Sequence, residues 1–132
     1  VEQSHWMLYS LELLASFDKS PVYYQHAVKI ATHILDNPEY LQWRRSTPTA
    51  CRSEGLLAFL RLPTPDGVDD SAIRQRCLAQ VTNNLNAQLA FRLPDGAFVR
   101  GGGDLRDTEV RIDYIQHNIS SFLHYSRLVI DS

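Results

Sequence analysis

The sequence predicts an all-α fold of about five antiparallel helices, and two observations support this prediction. The first, third and fifth predicted helices open with polar residues and are then apolar on nearly every side. The second and fourth are amphipathic, with a continuous polar stripe. A helix that is apolar all round has to be buried all round, whereas a polar stripe faces water. The alternation therefore predicts an inner layer of three helices and an outer layer of two.

The first helical hairpin is predicted over residues 4–17 and 21–36. Ser20 is expected to be the N-cap of the second helix, with Pro21 at its first helical position. Pro38 is expected to end that helix, because the residue before a proline is pushed out of the helical region.

The third helix is expected to begin near Thr49, and the proline-rich stretch 63–67 is a clear break after it. A fourth helix is predicted over about residues 71–91, capped by Asp69 or Asp70. Its apolar residues recur on one side only, so we expect it to lie in the outer layer.

The region before the last helix contains the only predicted strands. Residues 97–100 are expected to pair with residues 109–112 as a short β-hairpin. The fifth helix is expected to start at Asp113, where Gln116 three residues later completes a capping-box pattern, and to run to about Ile130.

Composition excludes several classes of protein. The chain has 132 residues, enough for one domain with a real core. Its formal net charge of -2 provides no electrostatic footprint for nucleic acid or an anionic membrane. No apolar run approaches the roughly 20 residues that cross a bilayer, and the first residues lack the charged and apolar regions of a signal peptide, so we expect none.

The cysteines and the first residues add two further expectations. Cys51 and Cys77 both lie in helical patterns and fit reduced, buried thiols better than a disulfide, which favours a cytoplasmic location. The chain begins at Val1, inside an apparent helix and without a Met, so we expect a fragment of a larger protein.

The polar opening of the last predicted helix, residues 111–118, is the densest of the three. Asp113 and His117 are four residues apart and can lie on one helical face. A carboxylate beside an imidazole raises the pKa of the imidazole and fixes its tautomer, which suits a general acid or base. In the alternative interpretation, Asp113 is only an N-cap and His117 is a core histidine bonded to a neighbouring carbonyl.

The middle opening, residues 49–54, contains a cation and an anion that cannot pair with each other. Arg52 and Glu54 are two residues apart and point in different directions on a helix. Because a buried unpaired charge is costly, each needs a partner elsewhere, such as Asp113 or Glu2. Arg52 is predicted either to hold a substrate carboxylate or hydroxyl, or to join helix ends in a structural salt bridge.

The first opening contains potential metal ligands and the chain contains aromatic rings near all three openings. Glu2, His5 and Glu12 offer suitable atoms, but no zinc signature such as H-E-x-x-H is present, so we predict no metal and no cofactor. Flat aromatic rings beside polar groups suit stacking on sugars, although core packing is the alternative. These aromatic residues are Trp6, Tyr9, Trp43 and Tyr114.

The alternating helices resemble the α/α-toroid superfamily, which includes six-hairpin glycosidases, sugar epimerases, polysaccharide lyases and terpenoid cyclase-like barrels. The turn at residues 94–98 looks like the glycine–aromatic loops that these proteins place between hairpins, and residues 111–118 are similar to inner-helix starts in bacterial proteins of this kind. The resemblance implies antiparallel helical hairpins of toroid type. It also implies a single helical domain over residues 1–132 that is part of a larger toroid, because five helices are fewer than twelve.

Two functional hypotheses follow. The first is a carbohydrate-active domain, of hydrolase, lyase or epimerase type, with a polar pocket at the N-terminal ends of the inner helices and a sugar or uronate ligand. Its catalytic residues are predicted to be Asp113, His117 and Glu54, and its substrate-binding residues Arg52, Arg111, Gln116, His5, Trp6 and Tyr114. The second is a non-catalytic helical-repeat module for protein interaction. Either way we expect a homo-oligomer or contact with a missing domain, since three apolar helices exceed what two outer helices cover.

Overall fold

The structure, a computed structural model, describes residues 4–18, 20–101 and 108–131. Within these ranges the chain is helical and has no β-strand. A 3₁₀ helix follows the second of five α-helices. The elements are α1 (Ser4–Phe17), α2 (Pro21–Asp36), the 3₁₀ helix (Pro38–Trp43), α3 (Ser46–Arg61), α4 (Ser71–Leu89) and α5 (Ile112–Ile130).

The helix α3 is the centre of the fold, and the other four helices all pack against it. From Thr49 to Phe59 only Arg52 keeps partial exposure. The apolar residues of α3 include Leu56, Leu57 and Phe59, which are at most 1% exposed. The sequence-based prediction that this helix is buried on all sides is confirmed.

The helices α1, α3 and α5 form one layer and run in the same direction. Between α1 and α3, the backbone of His5 lies beside Gly55, and Glu12 pairs with Arg61 near the other end. Between α3 and α5, Glu54 pairs with His117, in the second turn of α5. The N-terminal halves of α1 and α5 therefore lie beside the middle of α3, so the three helices are parallel but their first residues are not level.

The helices α2 and α4 form a second layer that runs the opposite way. Tyr24 at the start of α2 packs against Phe59 at the end of α3. Arg74 at the start of α4 donates to the carbonyl of Leu60, and Gln88 near its end meets Ser53. Each successive helix thus reverses direction, and the predicted all-α fold is confirmed for the described residues.

The prediction that α1 and α5 are more buried than α2 and α4 is wrong. In α5 only Tyr114, Asn118 and Ser121 are buried. The two helices flank α3 within their layer, so their outer sides have no covering helix in the described chain. Large apolar side chains are exposed there: Trp6, Met7, Leu13, Leu14 and Phe17 on α1, and Ile112, Ile119, Leu123, Val129 and Ile130 on α5.

A buried polar network holds α3, α4 and α5 together. The side chain of Gln88 accepts a hydrogen bond from Ser53 Oγ (2.7 Å) and donates to Asn118 Oδ1 (3.0 Å) and Ser121 Oγ (2.8 Å). All four residues have no exposed surface. Because each polar group is bonded, the network joins three helices without leaving an orphaned donor or acceptor on Gln88.

Two of the helix starts differ from the predictions. The α2 start is confirmed, with Ser20 Oγ accepting from Val22 N. In contrast, α3 begins at Ser46 rather than near Thr49, because a proline is tolerated in a first turn whose N–H groups have no helical partner. The capping box at Asp113 is wrong, since α5 begins one residue earlier and its N-cap position, Arg111, makes no side-chain capping bond.

The predicted β-hairpin near residues 97–112 is also wrong. Val99 and Val110 form a single antiparallel bridge, and residues 102–107 lie outside the described part of the chain. The backbone groups of Val99 and Arg100 bond to three different parts of the chain. Val99 N donates to Phe91 O, Arg100 O accepts from Ser46 N, and Arg100 N donates to Glu109 O. This segment therefore connects α3, α4 and α5 instead of forming a ladder with one partner.

No helix in the described ranges is both long and apolar enough to cross a membrane. This finding agrees with the absence of a long apolar run in the sequence.

The Gln88 network generates a first prediction. Replacing Gln88 by Met keeps the approximate volume but leaves the buried hydroxyl and amide partners unsatisfied, so the free energy of unfolding should fall by about 2–4 kcal/mol. Urea denaturation followed by circular dichroism measures this change. The matched control is Gln75→Met at an exposed position of the same helix, which should change stability by less than about 0.5 kcal/mol. Equal losses in the two variants would contradict the role given to the network.

Candidate functional site

Five side chains from α1, α3 and α5 meet where the N-terminal halves of α1 and α5 pack against the middle of α3. They are His5 and Tyr9 on α1, Cys51 and Glu54 on α3, and His117 on α5, and we call them the Glu54 cluster. His5 is 6% exposed, Cys51 7% and Glu54 3%. Polar and ionisable groups this deeply enclosed require partners within the protein.

Glu54 is the centre of the cluster. Its Oε1 lies 2.6 Å from Nδ1 of His117, and its Oε2 accepts a hydrogen bond from the hydroxyl of Tyr9. Because a carboxylate can only accept, the short contact places a proton on Nδ1 of His117. The carboxylate thus fixes the ring orientation of His117 and leaves Nε2 as the nitrogen that can meet another group.

The surroundings shift the acid–base behaviour of three groups. Hydrogen bonds to Cys51 and to Glu54 raise the pKa of His117 to about 10. Burial lowers the pKa of His5, with Glu54 opposing that effect. Burial and the bond to Glu54 raise the pKa of the Tyr9 hydroxyl, so Tyr9 remains a neutral donor. The cluster therefore favours one positive charge on His117 between a thiol and a carboxylate.

His5 and His117 are close neighbours within the cluster. Their ring centroids are 5.8 Å apart and nearly perpendicular, and the Trp6 ring lies 4.9 Å from His5 and 6.2 Å from His117. Trp6 is 50% exposed, so a flat aromatic surface borders the cluster. In addition, Nε2 of His5 is buried without a hydrogen-bond partner among the described residues.

Three members of the cluster have the chemistry of metal ligands. One ligand atom each from His5, Cys51 and His117 can be chosen so that all three lie within 4.8 Å of one another. Both cysteines are free thiols, as predicted from the sequence. Sequence reasoning expected no metal, because the three residues are separated by 46 and 66 positions and match no local zinc signature.

A groove begins beside the cluster and runs toward the C-terminal ends of α1, α3 and α5. Its volume is about 850 Å³, and Tyr9 contributes to both the groove and the cluster. The other lining residues are Glu12, Arg61, His124, Arg127, Leu128 and Asp131. Two of them, Glu12 and Arg61, form a bidentate ion pair with N–O distances of 2.7 and 2.8 Å. The groove therefore offers space for a polar ligand next to Tyr9.

The remaining residues predicted for the site on α5 lie outside the cluster. The structure has no hydrogen bond or ion pair between Asp113 and His117, and Asp113 is exposed, so the expected Asp113–His117 pair is replaced by Glu54–His117. Arg111 is exposed and pairs with Glu109, and Gln116 is exposed. Tyr114 is buried, and its hydroxyl donates to Glu109.

Arg52 points into a different region. Its guanidinium lies over the rings of Tyr40 and Trp43, at 4.9 and 5.3 Å from their centroids, and donates to the carbonyl of Pro48 at 3.1 Å. The expected pairing of Arg52 with Asp113 is therefore wrong, and Glu2, the other expected partner, lies outside the described residues. The aromatic rings satisfy Arg52 by cation–π contacts instead.

The residues that sequence reasoning missed are Cys51 as a site residue and Tyr9 as a partner of Glu54. One signal was present: Cys51 and Glu54 are three residues apart and so share a helical face, the same spacing rule that was applied to Asp113 and His117. Tyr9 stands four residues after His5, which places both side chains on one side of α1.

Comparisons with protein-family models, with curated proteins and with solved structures found no match to this chain.

The raised pKa of His117 predicts how the stability of the metal-free protein, kept in EDTA, depends on pH. His117 faces Glu54 and Cys51 from α3 and His5 and Trp6 from α1. Its pKa is about 10 in the folded protein and near 6.5 when unfolded, so its stabilising effect is complete below about pH 6.5 and is lost as pH rises toward 10. Stability should therefore fall between about pH 7 and pH 9.

The measurement is urea denaturation across that pH range for wild type and two variants. The fall should disappear in His117→Gln and persist in His26→Gln, which replaces an exposed histidine of α2. The range stops at about pH 9 because burial raises the pKa of the Cys77 thiol from 9.0 to about 12, which adds a second loss above that pH. A fall of equal size in His117→Gln would show that His117 is not its source.

Proposed function

We propose that the chain is part of a carbohydrate-active enzyme of α/α-toroid type, and that a sugar or uronate binds over the Glu54 cluster. The observation that carries this proposal is the enclosed carboxylate of Glu54, which is bonded to side chains from both neighbouring helices, Tyr9 and His117. Natural proteins place ionisable groups where apolar packing is expected mainly at functional sites. A cluster of ionisable groups beside a groove is also the usual arrangement of an active site.

The layer of parallel helices supports the toroid part of the proposal. An α/α toroid places inner helices side by side in one direction and returns through outer helices, and the parallel α1, α3 and α5 with the antiparallel α2 and α4 are compatible with that arrangement. The exposed apolar side chains of α1 and α5 are the surfaces on which further helices of a toroid would pack.

The side chains of the cluster suit the transfer of a proton next to a substrate carboxylate better than the hydrolysis of a glycosidic bond. Glycoside hydrolysis ordinarily uses two carboxyl groups that flank the scissile bond, roughly 5–10 Å apart. The Glu54 cluster has one carboxylate, already engaged by Tyr9 and His117. Lyases and epimerases acting on uronates instead need a cationic or hydrogen-bonding centre for the charge that develops on the substrate carboxylate. A positively charged centre in the cluster would meet that need, and the half-exposed Trp6 would stack on a sugar ring.

A thermal-shift measurement tests the proposal. Uronates and neutral sugars are added separately, and at about 100 times the dissociation constant a bound ligand adds about 2.7 kcal/mol of stability, which raises Tm by several degrees. We expect a uronate to raise Tm of wild type, and Glu54→Gln and His117→Gln to abolish that increase while remaining folded by circular dichroism.

The matched control is Asp113→Asn, an exposed carboxylate of α5 outside the cluster, which should respond to the ligand as wild type does. A panel in which no sugar or uronate raises Tm of wild type would overturn the carbohydrate proposal. So would an increase that survives both cluster variants.

An interaction module without chemistry is the second candidate, and the exposed apolar faces of α1 and α5 favour it. Leu13 is 63% exposed and Leu123 53%, on the two helices that flank α3. Exposed apolar surface of this kind usually marks an interface. If the protein is an interaction module, the hydrogen bonds of Glu54 serve only to hold α1 and α5 against α3.

Light scattering after size-exclusion chromatography tests whether these faces associate. The mass of wild type should rise with protein concentration, and Leu13→Gln and Leu123→Gln should each reduce that rise. Leu78→Gln on α4, where the leucine is 41% exposed, is the matched control and should leave association unchanged. A wild type that stays monomeric at every concentration would contradict the interface.

A further inference from the structure

The three ligand atoms of His5, Cys51 and His117 are close enough for one ion. Zinc lies about 2.0–2.1 Å from an imidazole nitrogen and about 2.3 Å from a thiolate sulfur, so tetrahedral ligand atoms are roughly 3.3–3.8 Å apart. The three atoms here lie within 4.8 Å of one another. Changes in side-chain torsion angles that move the ligand atoms by about 1 Å would bring them to coordination distance.

His5 supplies the observation that points to a ligand. The residue is 94% buried, because only 6% of its surface is exposed, and its Nε2 has no hydrogen-bond partner within the described chain. Leaving a buried polar atom unpaired costs about 1–3 kcal/mol, so such an atom calls for an explanation. A bound cation at Nε2 provides one.

The packing of α1 on α3 places His5 over Cys51. Gly55 lies at this contact, and a Cβ added to it would come within 3.1 Å of His5 Cα and 3.2 Å of His5 Cβ. The missing side chain at Gly55 thus permits the close approach of the two helices. A glycine in the interior of a helix costs roughly 1 kcal/mol relative to alanine, which is consistent with a positional requirement at this point.

Glu54 and Tyr9 form the outer shell that a metal-binding histidine ordinarily has. A ligating imidazole usually donates its other N–H to a carboxylate, which fixes the tautomer and the ring orientation. Nδ1 of His117 lies 2.6 Å from Glu54 Oε1, and the other carboxylate oxygen is held by Tyr9. Nε2 of His117 is thereby left for the metal.

We propose that His5 Nε2, Cys51 Sγ and His117 Nε2 bind Zn²⁺, with Glu54 orienting His117 from the outer shell. One thiolate with two imidazoles suits zinc among the common divalent ions. Three protein ligands leave the fourth tetrahedral position for a water or a substrate oxygen, the pattern of catalytic rather than structural zinc sites. Binding of the ion stands on the geometry alone, whereas its role in polarising a substrate carboxylate rests on the proposed function.

Cobalt binding tests the site without reference to activity. The protein is dialysed against EDTA and then titrated with Co²⁺, whose thiolate charge-transfer band and tetrahedral visible bands report a Cys ligand. We expect one Co²⁺ per chain with both bands, displacement by one equivalent of Zn²⁺, and a higher Tm with either metal. Cys51→Ser should remove the charge-transfer band, and His5→Gln should weaken binding by at least about 100-fold.

Matched controls use the other residues of the same types. Cys77→Ser and His26→Gln should keep both bands and the affinity of wild type, because these residues lie on α4 and α2 and belong to neither the ligand group nor the Glu54 cluster. Glu54→Gln should keep the bands but weaken binding by about 10- to 100-fold, the usual effect of losing an outer-shell partner, with circular dichroism confirming the fold. A charge-transfer band that persists in Cys51→Ser, or a wild type that shows none, overturns the proposal.

The two proposals fail separately. One equivalent of bound metal without any response to sugars would overturn the carbohydrate proposal and retain the zinc site. A uronate response in EDTA-treated protein that shows no cobalt bands would overturn the zinc site and retain the carbohydrate proposal.

Discussion

The arrangement of this molecule depends on how the carboxylate of Glu54 is accommodated inside it. The residue lies on α3, the helix that every other helix covers, and only 3% of its surface is exposed. Removing one partner of a buried ionic pair typically costs about 3–5 kcal/mol. Glu54 therefore constrains α1 and α5, because each contributes one of its two bonding partners, Tyr9 and His117.

Two further features hold that arrangement in place, one on each side of α3. Gly55 allows α1 to approach closely enough for His5 and Tyr9 to reach α3. On the other side, Gln88 of α4 bonds to Ser53 of α3 and to Ser121 of α5. Ser53 is the residue directly before Glu54, so the network fixes α5 against α3 immediately beside the cluster. The side chains of the cluster are consequently positioned by helix packing on both sides.

Local rules predicted much of the fold, and they failed where a partner is distant in the sequence. The Ser20–Pro21 pair and Pro38 located α2 accurately because capping and proline effects act within a few residues. The apolar residues of α3 correctly predicted a buried helix. The same reasoning overestimated the burial of α1 and α5, since apolar periodicity says which side of a helix prefers burial but not whether another helix covers it.

The candidate site was predicted in part for the same reason. His5, Glu54 and His117 were identified because each stands in a polar opening of a helix. The spacing rule paired His117 with Asp113, four residues away, whereas the structure pairs it with Glu54, 63 residues away. Only the packing of α5 against α3 could reveal that contact, and the same packing brings Cys51 to His117 and His5.

The most direct test of the central role of Glu54 is the protonation of His117, measured by long-range ¹H–¹⁵N correlation NMR of the histidine rings. The geometry predicts a proton on Nδ1 of His117 throughout the range from about pH 6 to pH 8, donated to Glu54 whether or not a metal occupies Nε2. In Glu54→Gln the His117 ring should lose its preference for a proton on Nδ1. The exposed His26 should give the same spectrum in wild type and in the variant. A His117 that titrates near its ordinary pKa of 6.5 with its neutral proton on Nε2 would contradict the account.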